Sequence, residues 1–214
     1  MIKLKIFVFN PFQENTFLLY DETKECVIID AGCNNLNENN ELFSFISENE
    51  LVPKYLINTH CHIDHIMGNS AVLDKYKIPS IAHKDDLPLI ERANDMALAF
   101  GFNVKEPPKP TMFVNHSDEI KFGNSVLEVR YVPGHSPGSI ALIAQNDKFA
   151  IVGDVLFKGS IGRTDLPGGD YHTLIDSIKQ QIFTLDEDFV IYPGHGDSTT
   201  VQHEKSTNPF LVDH

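Results

Sequence analysis

Residues 59–65 place four metal-binding side chains close together in the sequence Thr-His-Cys-His-Ile-Asp-His. In an extended or turning segment alternate side chains point the same way, so His60, His62 and Asp64 can converge while His65 turns round the corner. Imidazole nitrogens combined with a carboxylate suit zinc, manganese or iron. The absence of a thiolate from the set argues against a structural zinc knot.

The apolar run at residues 55–57 ends one residue before this motif and predicts a buried strand over residues 54–58. Reactive groups in layered α/β folds usually lie at the carboxyl ends of such strands. The side chain of Cys61 is expected to point to the opposite side of the segment from His60, His62 and Asp64, so it should not join them. The alternative is a solvated, histidine-rich loop, and the strand in front of the motif argues against it.

Three more residues of metal-binding type, His135, Asp154 and His195, each stand alone in the sequence. A lone histidine is more often a hydrogen-bonded structural residue than a ligand. These three, however, follow predicted strands and lie in turns flanked by glycine, where the backbone can bend a side chain inward. With the first four they make seven ligands, too many for one tetrahedral ion and suitable for two ions that share a bridge. Five other histidines lack such a setting and are predicted to be surface or local structural groups: His83, His116, His172, His203 and His214.

The elements that must position these residues alternate between strands and helices. We predict strands at residues 4–9, 16–20, 26–30, 54–58, 80–82, 120–122, 126–132, 140–144, 149–152 and 189–192. We predict helices at residues 37–49, 69–76, 85–100 and 171–183, with a short one after residue 200 and Asp170 as a cap. The helix at 85–100 and the proline-rich arm at 105–110 either form a surface connection or wall the site. The pattern favours one domain over residues 1–214, with two stacked sheets, outer helices and one cleft at an edge.

Composition and charge exclude several classes of function. Lys and Arg total 17 against 30 Asp and Glu, for a formal net charge of −13, which disfavours binding to a phosphate backbone. No apolar stretch approaches the roughly 20 residues that span a bilayer, and the N-terminal residues lack the unbroken apolar core of a signal peptide. Three cysteines make no disulfide framework and fit a reducing cytosol, where we expect them to serve in packing. We therefore predict a cytoplasmic protein that binds neither nucleic acid nor membrane.

The order of the seven residues resembles the metallo-β-lactamase superfamily, whose marks are His-x-His-x-Asp-His, a later His, a bridging Asp and a final His. The resemblance implies an α+β fold, a four-layer αββα sandwich of two mixed β-sheets with outer helices and a site at the sheet edge. It also implies two divalent metal ions, zinc first, with iron or manganese as other candidates. The implied ligands are His60, His62 and His135 for the first ion, Asp64, His65 and His195 for the second, and Asp154 as the bridge.

Two divalent ions, two carboxylates and a bridging hydroxide sum to about +1, so such a site should attract an anion even on an acidic protein. Metal binding lowers the pKa of water from about 15.7 to around 7, which supplies a metal-bound hydroxide as the nucleophile. Asp64 and Asp154 are therefore the predicted catalytic carboxylates, with Asp64 orienting the nucleophile.

Within the superfamily the chain is most similar to the short glyoxalase II-like hydrolases, which cleave thioesters such as hydroxyacylglutathione. Residues 159–170, Gly-Ser-Ile-Gly-Arg-Thr-Asp-Leu-Pro-Gly-Gly-Asp, and residues 193–196, Pro-Gly-His-Gly, carry this similarity. An aspartate at the bridging position argues against a true β-lactamase, where that residue is commonly cysteine or otherwise altered. The resemblance implies hydrolysis of an activated acyl bond in a small anionic thioester. The sequence shows no counterpart of the C-terminal helical domain that grips glutathione in the longer enzymes, which leaves the thiol carrier open.

Arg163 lies where the longer enzymes place a basic substrate contact, and its guanidinium could bind a carboxylate through two hydrogen bonds. The alternative is that Arg163 ties its own loop to Asp165 or Asp170.

The alternative function for the whole chain is that of a mononuclear iron persulfide dioxygenase of the same fold, since that branch also carries a Gly-Arg-Thr-Asp sequence. A metal-stabilised binding protein with an inactive site would have substituted ligands, whereas all seven are present here.

Overall fold

Two six-stranded β-sheets stack face to face in the computed structural model of the chain, which describes residues 1–99, 101 and 107–212. The first sheet contains β1 (Lys3–Phe9), β2 (Glu14–Tyr20), β3 (Glu25–Ile29), β4 (Val52–Ile57), β5 (Ser80–Ala82) and β6 (Met112–Phe113) in that spatial order. Its first three strands are antiparallel and β3 to β6 are parallel. The sheet is therefore mixed, as predicted.

The second sheet is mixed as well. It contains β7 (Glu119–Phe122), β8 (Ser125–Tyr131), β9 (Ile140–Ala144) and β10 (Phe149–Gly153), in which each strand pairs antiparallel with the next one along the chain. A small hairpin of β11 (Leu156–Phe157) and β12 (Ser160–Ile161) follows β10. Next, β13 (Val190–Pro193) pairs parallel to β10, and β14 (Thr199–Thr200) pairs antiparallel to β13.

Seven α-helices flank the sheets within the described residues. They are α1 (Leu36–Glu48), α2 (Ile63–Ile66), α3 (Asn69–Tyr76), α4 (Leu87–Glu91), α5 (Ala93–Ala99), α6 (Tyr171–Ser177) and α7 (Val201–Thr207). A π-helical turn, Ile178–Ile182, continues α6. In this part of the chain no helix has the length and apolar character that crossing a bilayer requires.

Three apolar layers hold the sheets and helices together, and the two-residue period of the strands sorts side chains among them. In β2, Phe17 and Leu19 enter the layer between the sheets, whereas Leu18 enters the layer under α1 with Leu42. On the far side, β9, β10 and β13 pack against α6, whose Leu174 is fully buried. The order helix, sheet, sheet, helix confirms the predicted αββα sandwich.

The predicted single helix at residues 85–100 is wrong, because the structure divides that segment. A 3₁₀ turn, Lys84–Asp86, comes first, where the His83 ring accepts a hydrogen bond from the Asp85 N–H. The helix α4 then ends at Glu91, and the backbone N–H of Arg92 bonds to the Leu89 carbonyl before α5 begins. Phe100 and residues 102–106, which include part of the predicted arm, lie outside the described residues.

Candidate metal centre

The side chains of metal-binding type lie just after the carboxyl ends of four strands. The segment 59–65 follows β4, His135 follows β8, Asp154 follows β10 and His195 follows β13. Because β10 and β13 are parallel neighbours, their carboxyl ends meet at one edge of the second sheet. The backbone joins this edge to the first sheet, since the Ile140 N–H donates to the Thr59 carbonyl over 2.8 Å. The structure brings all seven predicted ligands to this edge.

The first metal group consists of His60, His62 and His135. The Nε2 atom of His135 lies 2.8 Å from Nδ1 of His62 and 3.2 Å from Nε2 of His60, and all three rings are buried. Burial lowers the pKa of His62 to about 3 and lowers the pKa of His60 and His135 as well. The three rings are therefore neutral, which is the form of imidazole that binds a metal.

The second metal group consists of Asp64, His65 and His195. The Oδ2 atom of Asp64 lies 3.2 Å from Nε2 of His195 and 3.8 Å from Nε2 of His65. Burial acts to lower the pKa of His65, but the carboxylates of Asp64 and Asp154 outweigh it and raise that pKa. The pKa of His195 is raised for the same reason. The second group thus contains a carboxylate of its own, whereas the first consists of imidazoles alone.

Asp154 lies between the two groups. Its Oδ1 atom is 3.4 Å from Nε2 of His65, and its Oδ2 atom is 3.7 Å from Nε2 of His135 and 3.5 Å from Nε2 of His195. Burial acts to raise the pKa of Asp154, but the surrounding imidazoles outweigh it and hold the carboxyl ionised. Only glycine fits at position 194, because a Cβ atom there would lie 2.2 Å from Oδ1 of Asp154.

Hydrogen bonds to the opposite ring nitrogens orient three of the histidines. The Nδ1–H of His135 donates to the Arg163 carbonyl over 2.9 Å, and that of His195 donates to the Phe12 carbonyl over 3.0 Å. The Nδ1–H of His65 donates to Oδ2 of Asp30 over 3.2 Å. These partners fix the tautomers and leave each Nε2 atom facing the centre.

Sequence reasoning missed Asp30, which it assigned only as the end of a strand. This buried residue follows β3 with φ +52 and also accepts hydrogen bonds from the backbone N–H and the hydroxyl of Thr59. An aspartate directly before Ala-Gly at a strand end was the available signal. Glu14 was missed too: it is fully buried, its Oε1 atom lies 3.8 Å from Nδ1 of His65, and burial raises its pKa.

The donor set fits a pair of metal ions. Within the described residues, the buried Nε2 atom of His65 and the buried Oδ1 atom of Asp154 have no hydrogen-bond partner. Buried polar atoms are nearly always satisfied, and a cation next to both atoms would satisfy them. Imidazole nitrogens with carboxylate oxygens suit zinc, manganese and iron.

Arg163 forms an ion pair with Asp165, in which its Nε and Nη2 atoms lie 2.7 and 2.8 Å from the two carboxylate oxygens. This is the alternative in which Arg163 ties its own loop. Asp170 instead caps α6 by accepting from the Thr173 N–H. Arg163 also lines a cavity of about 120 Å³ that opens on the metal groups. Met96 of α5 contributes to its wall, so this part of the 85–110 segment does border the site.

Among the described residues, the remaining histidines and the cysteines belong to neither of the two metal groups. His83 is buried and stacks on Tyr131 with ring centroids 4.4 Å apart, while His214 lies outside the described residues. All three cysteines are free and buried. Burial raises their pKa, to about 12 for Cys26 and Cys33. All three pack in apolar clusters, as predicted.

Comparisons with known proteins match this geometry along nearly the whole chain. A family model described as "Metallo-beta-lactamase superfamily" matches residues 9–195. The chain is 38% identical over 213 residues to the hydroxyacylglutathione hydrolase GloC of Haemophilus influenzae, covering 98% of each chain. It is similar to the solved structure of the BLEG-1 B3 metallo-beta-lactamase, with a TM-score of 0.90, 33% identity and coverage of 99% of this chain and 100% of that chain. It is also similar to TTHA1623 in a di-iron-bound form, with a TM-score of 0.87, 34% identity and coverage of 97% and 100%.

Proposed function

Because the chain belongs to the metallo-β-lactamase superfamily and is a metallohydrolase of that family, we propose that it is a binuclear thioester hydrolase. Its proposed substrate is a small anionic thioester of the hydroxyacylglutathione type. The observation that carries the proposal is the position of Asp154, whose two carboxylate oxygens each face a metal group. The similarity to a relative named hydroxyacylglutathione hydrolase supports the choice of substrate class.

His60, His62 and His135 would hold one divalent ion, Asp64, His65 and His195 would hold the other, and Asp154 would contact both. When bound, such ions supply Lewis acidity and lower the pKa of water from about 15.7 to around 7. Zinc is the metal we propose, and iron is the next candidate because the similar TTHA1623 was solved in a di-iron-bound form.

The side chains of the site would orient the reactants. The Asp64 carboxylate is partly exposed and lines the cavity, so it can accept a hydrogen bond from an attacking water molecule. Its pKa is lowered: burial acts to raise it, but His65 and His195 outweigh that effect and keep the carboxylate charged. No serine or cysteine nucleophile is required, and Cys61 is buried away in an apolar cluster with Ile63 and Ile66.

The cavity matches an anionic substrate with an apolar part. Phe12, Ile63, Met96 and Leu166 supply its apolar wall, and Arg163 lies at the rim. A second cavity of about 200 Å³ shares Met96 and carries Arg92, Asp95 and Pro167, which extends the groove away from the metal groups. A cavity of about 430 Å³ on the second sheet is lined by Glu119 and Glu128 but by none of the metal-binding residues, so we do not place an anion there.

The test combines metal content with hydrolysis of S-lactoylglutathione. We expect about two divalent ions per chain in the wild type, and loss of both hydrolysis and ions in Asp154→Ala. Absence of thioester hydrolysis from a fully metal-loaded wild type would contradict the proposal. One iron per chain with oxygen consumption on a glutathione persulfide would instead identify the alternative dioxygenase.

Arg163 is tested separately through its ion pair with Asp165, since exposed pairs of this kind contribute only about 0–1 kcal/mol and are readily exchanged. If Arg163 binds the substrate carboxylate, Arg163→Ala should raise KM with little change in kcat, because the contact is made equally in ground and transition states. Asp165→Ala is the matched control, since it frees Arg163 and should not raise KM. Equal effects of the two substitutions would assign Arg163 to the loop instead.

β-Lactam hydrolysis is a further candidate function: the similarity to BLEG-1 favours it, whereas the aspartate at position 154 argues against it. A lactam carbonyl is also an activated acyl group, and the same metal groups could serve it. Parallel assays with a chromogenic cephalosporin and S-lactoylglutathione compare the two, and the larger kcat/KM identifies the preferred class.

A further inference from the structure

Asp86 is a buried carboxylate outside the metal groups that holds together two of the loops carrying metal ligands. It ends the 3₁₀ turn before α4 and has no exposed surface. Its Oδ2 atom accepts hydrogen bonds from the Cys61 N–H over 2.8 Å and from the Ser136 hydroxyl over 3.0 Å. Its Oδ1 atom accepts from the Gly138 N–H over 2.5 Å. One carboxylate therefore joins segment 59–65 to segment 133–138.

The donors to Asp86 lie next to the ligands of the first group. Cys61 stands between His60 and His62, and Ser136 directly follows His135. The second group has different anchors, since His65 donates to Asp30 and His195 donates to the Phe12 carbonyl. Any shift of Asp86 would consequently move the backbone of the first group while leaving these anchors in place.

The space around Asp86 leaves the loops little freedom. A Cβ atom at Gly138 would lie 2.7 Å from Cγ of Asp86, so the loop passes against the carboxylate. The Ser136 hydroxyl lies within 2.8 Å of the Ser139 hydroxyl, which also accepts from the Ser136 N–H over 3.2 Å. The carboxylate and the two serines therefore form a hydrogen-bonded network beneath His135.

We propose that Asp86 is the positioning residue of the first metal group, setting the spacing of the two loops so that His60, His62 and His135 meet on one ion. This inference rests on the proposed function, because it requires that the first group binds a metal. Asp86 acts only through the loops and does not contact either metal group. Its loss should weaken the first ion selectively.

The experiment titrates metal-free protein with Zn²⁺ and follows binding by calorimetry. Asp86→Asn keeps the size of the side chain but removes the second acceptor oxygen, so we expect at least about tenfold weaker binding of one ion, the usual range for loss of a supporting contact. The matched control is Asp85→Asn, which removes the same charge one residue away. Its carboxylate accepts from the Tyr131 hydroxyl, with no bond to a backbone N–H of either ligand loop among the described residues.

Two backgrounds assign the effect to one group. In His195→Ala, which disables the second group, adding Asp86→Asn should weaken the remaining ion about tenfold. In His62→Ala, which disables the first group, the same addition should leave the remaining ion unchanged within about twofold. Equal weakening in both backgrounds, or none in either, would overturn the inference.

Ser136→Ala provides a variant with milder expected effects on folding, since it removes one donor and leaves the carboxylate. It should weaken the first ion by less than Asp86→Asn does, and an unchanged affinity would count against the proposal. Excess Zn²⁺ should restore hydrolysis to Asp86→Asn, because the residue acts through metal affinity. If the wild type binds no more than one ion, the binuclear proposal itself fails. If the wild type binds two ions and Asp86→Asn binds both of them normally, only the inference about Asp86 fails.

Discussion

A single buried aspartate behind His65 determines which nitrogen of that ring faces the metal centre. Asp30 accepts from Nδ1–H of His65 over 3.2 Å and also holds the Thr59 N–H over 2.7 Å. Asp30→Asn replaces one acceptor oxygen by a donor, so we expect metal affinity or hydrolysis to fall about 10–100-fold. Zn²⁺ titration and kcat at saturating metal measure the two effects separately.

Asp21→Asn is the control for Asp30→Asn. Asp21 is also buried, and it accepts hydrogen bonds from Thr23, Asn124 and Ser125, none of which belongs to a metal group. The Asp21→Asn substitution should lower the free energy of unfolding without changing metal affinity. A similar loss of affinity in both variants would mean that Asp30 only stabilises the fold.

Asp86 should give the stability of the metal-free protein a distinctive pH dependence. Burial raises its pKa from 3.8 to about 6, although hydrogen bonds from Cys61, Gly138 and Ser136 oppose this. Between these values the folded state binds more protons than the unfolded state, so the contribution of Asp86 to stability falls as pH rises. The free energy of unfolding of the wild type minus that of Asp86→Asn should therefore decrease between pH 4 and 6, by at most about 1.4 kcal/mol per pH unit. Urea unfolding over this range measures it, and a difference that grows with pH would contradict the assignment.

Sequence reasoning identified the side chains that can bind a metal directly. It missed those that support the metal-binding residues through hydrogen bonds. The motif at residues 59–65 showed four candidate ligands, and the glycine-flanked turns pointed to His135, Asp154 and His195. Asp30 carries only the weak signal of an aspartate before Ala-Gly at a strand end, and Asp86 carries none, because an aspartate in a 3₁₀ turn is common. Their importance depends on which distant backbone N–H groups reach them, and this becomes visible only in three dimensions.

At the scale of elements, the end of β10 must pass close to the motif after β4. Gly153 has φ +53, and a Cβ atom there would lie 2.4 Å from Oγ1 of Thr59. Gly153→Ala should therefore combine the backbone cost of about 1–2 kcal/mol with a steric displacement of Asp154. We expect a clear loss of both stability and hydrolysis, measured by urea unfolding and thioester assay.

Gly159→Ala separates the two contributions to the Gly153→Ala effect. Gly159 has φ +71, but no atom lies within 4 Å of the position its Cβ would take. This substitution should cost only the backbone contribution, about 1–2 kcal/mol, and should leave hydrolysis intact. Equal effects at the two positions would show that the close approach at Gly153 is unimportant.

Prediction of the elements succeeded where turn residues marked the boundaries in the sequence and failed where contacts with other segments determined them. The helix at residues 69–76 and the strands at 80–82 and 140–144 have the predicted bounds. The strands β6, β11, β12 and β14 have two residues each, too few to show a two-residue period. The helix at 85–100 was predicted from its apolar content, which cannot show that the chain turns at Arg92.

At the scale of the whole molecule, the order of strands within each sheet depends on contacts between distant segments. β10 pairs with β13 rather than with the hairpin that follows it, and β5 pairs with β6 across residues that include the undescribed segment. Local patterns do not encode such pairings, so the sequence predicted two stacked sheets with outer helices but not the order of strands within each sheet. The pairings matter for function, because they bring His195 beside Asp154.

Metal removal should destabilise the entire sandwich, since the two groups join loops from both sheets. His60 and His62 follow a strand of the first sheet and His135 follows a strand of the second, so an ion held by all three would tie the two sheets together. A ligand at a thousandfold excess over its Kd stabilises the folded state by about 4 kcal/mol, which for a chain of this size is roughly 10 °C in Tm. Calorimetry before and after treatment with a chelator should show a fall of that order, reversed by Zn²⁺. A protein carrying both His62→Ala and His195→Ala has lost a ligand from each group, so its Tm should hardly respond to the chelator. A wild-type Tm that also failed to respond would mean that the seven side chains do not form a metal centre.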